Sequence, residues 1–138
     1  MSDTDELERI REQKRERLER TADGGGDDGG DPVPDEPIHV EGASHLDDLT
    51  DRYGVVLVDF YADWCGPCQM LEPIVESLAA ETDAAVAKVD VDANQALASQ
   101  YGVRGVPTIL LFDDGEAVEQ MVGVQQEAQL AGLIEQYA

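Results

Sequence analysis

The run "VVLVDFYA", residues 55–62, constrains this chain more than any other segment. Its residues are β-branched, aliphatic or aromatic, and one carboxylate, Asp59, interrupts them. A strand with one face in water would alternate apolar and polar residues. A continuous run reads instead as a strand covered on both faces. Such a strand needs helices above and below it, so the chain is predicted to be α/β. "AAVAKVDVD" at 84–92 has the same character, with Lys88 as its odd member.

The flanking segments supply the helices. "PIHVEG" reads as a short strand, and "SHLDDLTDRYG" as a helix with Ser44 as candidate N-cap and Gly54 just past its end. "CGPCQMLEPIVESLAAET" has helical spacing at Met70, Leu71, Ile74, Val75 and Leu78, with Pro73 expected to kink it. "NQALASQYG" is a short helix opening on Asn94. "PTILLFDDGEAVEQMVG" is a hairpin that turns at Asp113, Asp114 and Gly115. "QQEAQLAGLIEQYA" closes the chain as an amphipathic helix with Leu130, Leu133, Ile134 and Tyr137 on one stripe. The order β-α-β-α-β-α-β-β-α gives a mixed sheet, because the final hairpin must add antiparallel strands.

Residues 1–36 differ from the rest. They hold six of the nine bases and thirteen of the 31 acids. "DELERIREQKRERLER" favours a marginal, solvated helix held by i,i+4 ion pairs such as Asp5 with Arg9. "TADGGGDDGGDPVPDEP" reads as a flexible linker. The expected organisation is an N-terminal extension at 1–36, either a disordered tail or a docking arm, and one domain at 37–138.

The formal net charge is −22. A surface so acidic repels nucleic acid and anionic membranes, whose recognition needs Lys and Arg. The acid excess and the mere two lysines point to solubility chemistry suited to a salty cytoplasm, where salt screens self-repulsion. No apolar run approaches the ~20 residues of a membrane span. The first twenty residues lack the apolar stretch of a secretory signal. A cytoplasmic location is the resulting expectation, and a reducing compartment disfavours structural disulfides.

Both cysteines, Cys65 and Cys68, open the helix that follows the apolar strand. Residues at i and i+3 share a helix face, so the sulfurs can meet. The helix N-terminus favours a thiolate at Cys65, while Cys68 lies one turn in and should be less exposed. This divides the labour: Cys65 attacks and Cys68 resolves. Pro67 fits the first turn, where its missing N–H costs nothing. Two other readings need different company. Structural zinc takes four ligands, and the two histidines, His39 and His45, have no zinc-finger spacing. A structural staple across so short a loop would remove little chain entropy. Asp59 lies in the buried strand below the pair. Burial raises a carboxyl pKa, so Asp59 is a candidate acceptor for the Cys68 proton. The plainer reading is an ion pair with Lys88, and both can hold.

"VDFYADWCGPC" resembles the thioredoxin family, with "GVPT" at 105–108 and Gly123 of "MVGV" as further matches. The resemblance spans residues 37–138. It implies the thioredoxin fold, with about five strands flanked by four helices. It also implies Cys65 as nucleophile, Cys68 as resolving cysteine, Asp59 as buried acid/base and Lys88 as its neighbour. Pro107 matches the family's cis-proline. Trp64, Gly66, Pro67, Val106 and Gly123 match the apolar patch that binds an extended client peptide. Asp63 is a departure, since its charge would oppose a thiolate at Cys65.

The resulting expectation is a cytoplasmic protein-disulfide reductase that cycles through a Cys65–Cys68 disulfide and binds neither metal nor organic cofactor. Its partners would be disulfide-containing client proteins and a thioredoxin reductase, with no nucleic acid or membrane, and it would act as a monomer in electron transport and cell redox homeostasis. The alternatives are a binding or scaffold module docked by its N-terminal extension, and a disulfide isomerase or oxidase.

Overall fold

The computed structural model describes residues 32–138. The helix and most of the linker expected at 1–36 therefore lie outside the described residues. The elements are β1 (Ile38–His39), α1 (Ala43–Arg52), β2 (Val55–Tyr61), α2 (Gly66–Glu81), β3 (Ala85–Asp90), α3 (Gln95–Gln100), β4 (Thr108–Asp113), β5 (Glu116–Val122) and α4 (Glu127–Tyr137). Val33, within the segment whose composition reads as linker, packs against the domain core.

The sheet order is β1-β3-β2-β4-β5. β2 is central, parallel to β3 and antiparallel to β4. It is buried from Val55 to Phe60, as its unbroken apolar run requires. Alternate residues enter opposite layers. Val56, Val58 and Phe60 join Leu46 and Leu49 of α1 and Leu97 of α3. Val55 and Leu57 join Leu71, Val75 and Leu78 of α2 and Leu130 and Ile134 of α4. Asp59 therefore falls in the α2 layer by parity. So does Lys88, its register partner on β3.

Asp114 and Gly115 have φ of 54° and 85°, so the expected turn is a two-residue hairpin loop whose twist suits the strands. Leu133 and Tyr137 pack with Leu130 and Ile134, so the final stripe is as expected. α2 runs through Pro73 as one helix. The proline leaves the Gln69 carbonyl without its usual donor.

Two local expectations fail. Ser44 is not the N-cap of α1. Gly42 takes that place with φ 104°, and no side chain caps the helix. Glycine alone adopts that backbone readily, which moves the helix start ahead of Ser44. The nearby Glu41 N–H donates instead to His45 Nδ1 at 2.9 Å. Met70 does not join the core stripe of α2 but is 67% exposed. The buried face runs through Cys68, Leu71, Val75 and Leu78, and Met70 lies to one side of it.

Candidate active site

Cys65 is the N-cap of α2, and Pro67 stands in the first turn. The Cys68 N–H donates to Cys65 Sγ at 3.2 Å. The cap that a Ser or Asp oxygen usually provides is here a sulfur. A thiolate at Cys65 would gain both this N–H and the positive end of the helix. In the structure the two cysteines are joined as a disulfide. Their exposures are 4% and 5%, so the expected contrast between them is absent in this state. The bond draws both into one small cluster with Ala62, Tyr61, Val91 and Val106.

The opposite wall comes from the start of β4. The Val106–Pro107 bond is cis. The Val106 carbonyl oxygen lies 3.7 Å from Cys65 Sγ. Thr108 Oγ1 donates to Gly105 O at 2.7 Å and pins the loop. Gly123 N–H donates to Pro107 O at 2.8 Å, tying the end of β5 to the same place. The structure thus brings Cys65, Cys68, Val106, Pro107 and Gly123 together across more than fifty residues of sequence. Gly66 and Pro67 are exposed beside the sulfurs. Trp64, at 72% exposure, stands at the rim, and its indole N–H donates to Asp92 Oδ2 at 2.9 Å.

Asp59 is 1% exposed, and its Oδ1 has no hydrogen-bond partner. Burial pushes its pKa up to about 6, Lys88 pulls it down, and Glu72 pushes it up again. The simple Asp59–Lys88 ion pair is not what forms. Lys88 Nζ pairs with Glu72 Oε1 at 3.5 Å and lies 4.5 Å from the Tyr61 ring centroid. Asp63 adds to the upward shift of Tyr61, which burial causes first. Among the described residues no three His, Cys, Asp or Glu side chains group as a metal site.

The thioredoxin family model matches residues 36–136. The chain belongs to the thioredoxin family. It is 48% identical over 86 residues to a thioredoxin of Chlamydia caviae, covering 62% of this chain and 84% of that one. It is 45% identical over 96 residues to a thioredoxin of Staphylococcus saprophyticus, covering 68% and 91%. The solved structure of a mutant thioredoxin from Halobacterium salinarum superposes with a TM-score of 0.75 at 68% identity, covering 78% of this chain and 96% of that one. The family membership and the Cys65–Cys68 pair make this chain a thiol-disulfide oxidoreductase. Its redox group is its own disulfide, and the reaction requires no bound cofactor.

Several residues of this region escape the sequence reading. Asp92 and Glu72 are polar residues among many in an acidic chain, and only the register places them. Val122 and Val124 are exposed at 67% and 39% on either side of Gly123. Their signal is present in the sequence, as apolar residues flanking a matched glycine.

Proposed function

We propose that the chain is a cytoplasmic protein-disulfide reductase, with Cys65 as nucleophile and Cys68 as resolving cysteine. One arrangement carries this reading: Cys65 Sγ accepts the Cys68 N–H while facing the Val106 carbonyl that precedes cis-Pro107. The thiolate is stabilised from the helix side. The opposite wall offers backbone groups to an extended client strand. Trp64, Gly66, Pro67, Val122 and Gly123 form the rim against which that strand would lie.

In the reductive cycle the Cys65 thiolate attacks a client disulfide. A Cys65–client bond forms, and the departing client thiolate takes a proton from solvent. Cys68 then gives its proton to Asp59 and attacks Cys65 Sγ. The second client thiolate leaves. The client has gained two electrons, and Cys65–Cys68 has become a disulfide. A carboxyl near pKa 6 suits the proton transfer, being mostly ionised at neutrality yet basic enough to accept. An external reductase, a thioredoxin reductase by family analogy, returns the pair to the dithiol.

The cytoplasmic assignment rests on the acidic composition. The catalytic unit is residues 37–138, acting as a monomer, with 1–36 as an appended arm. Reduction of insulin with dithiothreitol as donor tests the assignment. The wild-type chain should accelerate it, and Cys65→Ser should abolish the acceleration. Normal turnover by Cys65→Ser would refute the mechanism.

A further inference from the structure

The α2 layer contains a charged residue that the disulfide chemistry does not itself call for. Glu72 lies on α2, one residue before Pro73, with its side chain half exposed. It takes the ion pair of Lys88 at 3.5 Å. Lys88 is otherwise almost buried, and it stands opposite Asp59 in the β2–β3 register. Asp59 Oδ1 is left without a hydrogen-bond partner. An ammonium beside an unpartnered buried carboxylate would ordinarily move to it. Here a surface carboxylate on the overlying helix, and the Tyr61 ring, engage it instead.

We propose that Glu72 is a positioning residue of the resolving step, anchoring the Lys88 ammonium at the outer side of the α2 layer so that Asp59 stays unpaired and free to accept the Cys68 proton. The inference rests on Asp59 being that acceptor. Removing the Glu72 charge acts in one direction through two routes. It deletes a negative neighbour, and it releases Lys88 toward Asp59. Both make the Asp59 carboxylate easier to ionise and a weaker base.

The other charged or titratable groups around this site are few. On the same face, β2 adds Tyr61 and β3 adds Asp90. α2 adds Cys68 at its start and Glu76 one turn after Glu72. β4 presents Ile109 opposite Asp59, and α4 contributes Leu130 and Ile134 to the layer, none of them charged. β1 places His39 opposite Lys88. Asp35, Glu36, His39, Glu72, Glu76 and Lys88 line an open pocket of about 480 Å³.

The test is a carbon-13 NMR titration of the Asp59 carboxyl in the oxidised full chain, with the Asp59 signal assigned by its loss in Asp59→Asn. Glu72→Gln should lower the Asp59 midpoint by roughly 0.5 to 1 unit at low salt, since one nearby charge shifts a carboxyl by about that much or more. Glu72→Asp should keep part of the effect. In a Lys88→Met background the Glu72→Gln shift should shrink by at least half, because the released ammonium is gone. An unchanged or raised midpoint in Glu72→Gln overturns the proposal, and so does a shift of full size without Lys88. The second readout is the pH profile of client release from a mixed disulfide preformed at Cys65. Its acid limb should move with the Asp59 midpoint. A moved midpoint with an unmoved release profile supports the Glu72 anchor and overturns Asp59 as the base.

Discussion

The indole N–H of Trp64 is fixed to Asp92 Oδ2 at 2.9 Å, although the two residues are 28 positions apart. Asp92 owes its place to the turn after β3, where Asp90 Oδ1 accepts the Asp92 N–H at 2.9 Å and the Ala93 N–H at 3.4 Å. A large apolar ring is thereby held at the rim while 72% exposed. Asp92→Ala should free the ring and raise KM for a protein client two- to five-fold, roughly what one exposed hydrogen bond is worth. Trp64 is the only tryptophan, so its fluorescence reports the change directly. Acrylamide quenching should increase in the variant, and unchanged quenching with unchanged KM would remove Asp92 from the site.

Asp59 carries the pH dependence. Its carboxyl releases a proton near 6 in the folded protein against 3.8 ordinarily, chiefly because it is buried. Between those values the folded state holds a proton that the unfolded chain has lost. Asp59's contribution to stability therefore falls as pH rises from about 4 to about 6 and stays lower above, by about 3 kcal/mol in all. Asp59→Asn has no such proton to lose. It should be more stable than the parent at pH 8 by roughly 2 to 3 kcal/mol, with a much smaller gap at pH 4. Urea unfolding at the two pH values measures this. The same variant should release client from the Cys65 mixed disulfide about a hundred-fold more slowly at pH 7, the lower end of general-base effects.

Gly123 and Gly66 make a contrasting pair. A Cβ would meet nothing within 4 Å at either position. Gly123, however, has φ 93°, where other residues are strained. Gly123→Ala should lower stability by roughly 1 to 3 kcal/mol through backbone strain. Gly66 begins α2 and has no positive φ. Gly66→Ala should leave the unfolding free energy, measured in urea, within about 0.5 kcal/mol of the parent, as a substitution into open space. Equal losses in both variants would mean that the positive φ of Gly123 does not set the requirement.

The charge of −22 should make stability salt-dependent. Raising KCl from about 10 mM to about 1 M shortens the screening length from about 30 Å to about 3 Å. The melting temperature should rise over that range as repulsion among surface carboxylates is screened. A fall would count against the reading of the acidic surface as an adaptation to salt.

The sheet and its helices were legible because their signals are local and periodic. The runs at β2 and β3 lack alternation, the Asp114-Gly115 turn has the right residues, and α4 keeps its stripe. The cysteine pair, the buried acid and Pro107 were legible from their motif. What stayed hidden depends on which side chains the register brings face to face. Glu72 meets Lys88, and Trp64 meets Asp92, only after β2, β3 and α2 have packed. In a chain with 31 acids, no single carboxylate announces itself. The start of α1 was misplaced for another reason. A serine in a good capping position lost to a glycine backbone two residues earlier.

The parity of β2 divides the molecule into two halves with different tolerances. Val56, Val58 and Phe60 face the layer of α1 and α3, which meets the cysteine cluster through Val91, whereas Asp59 faces the layer that holds Lys88 and the cysteine helix. Repacking α1 against β2 should leave the surroundings of Asp59 unchanged, whereas α3 follows the Asp90–Asp92 turn that holds Trp64. The α2 side offers less freedom, because Asp59, Lys88 and Glu72 there couple packing to charge. A single-residue insertion in β2 would exchange the two halves, delivering the carboxylate to Leu46 and Leu97 and a valine or phenylalanine to the site.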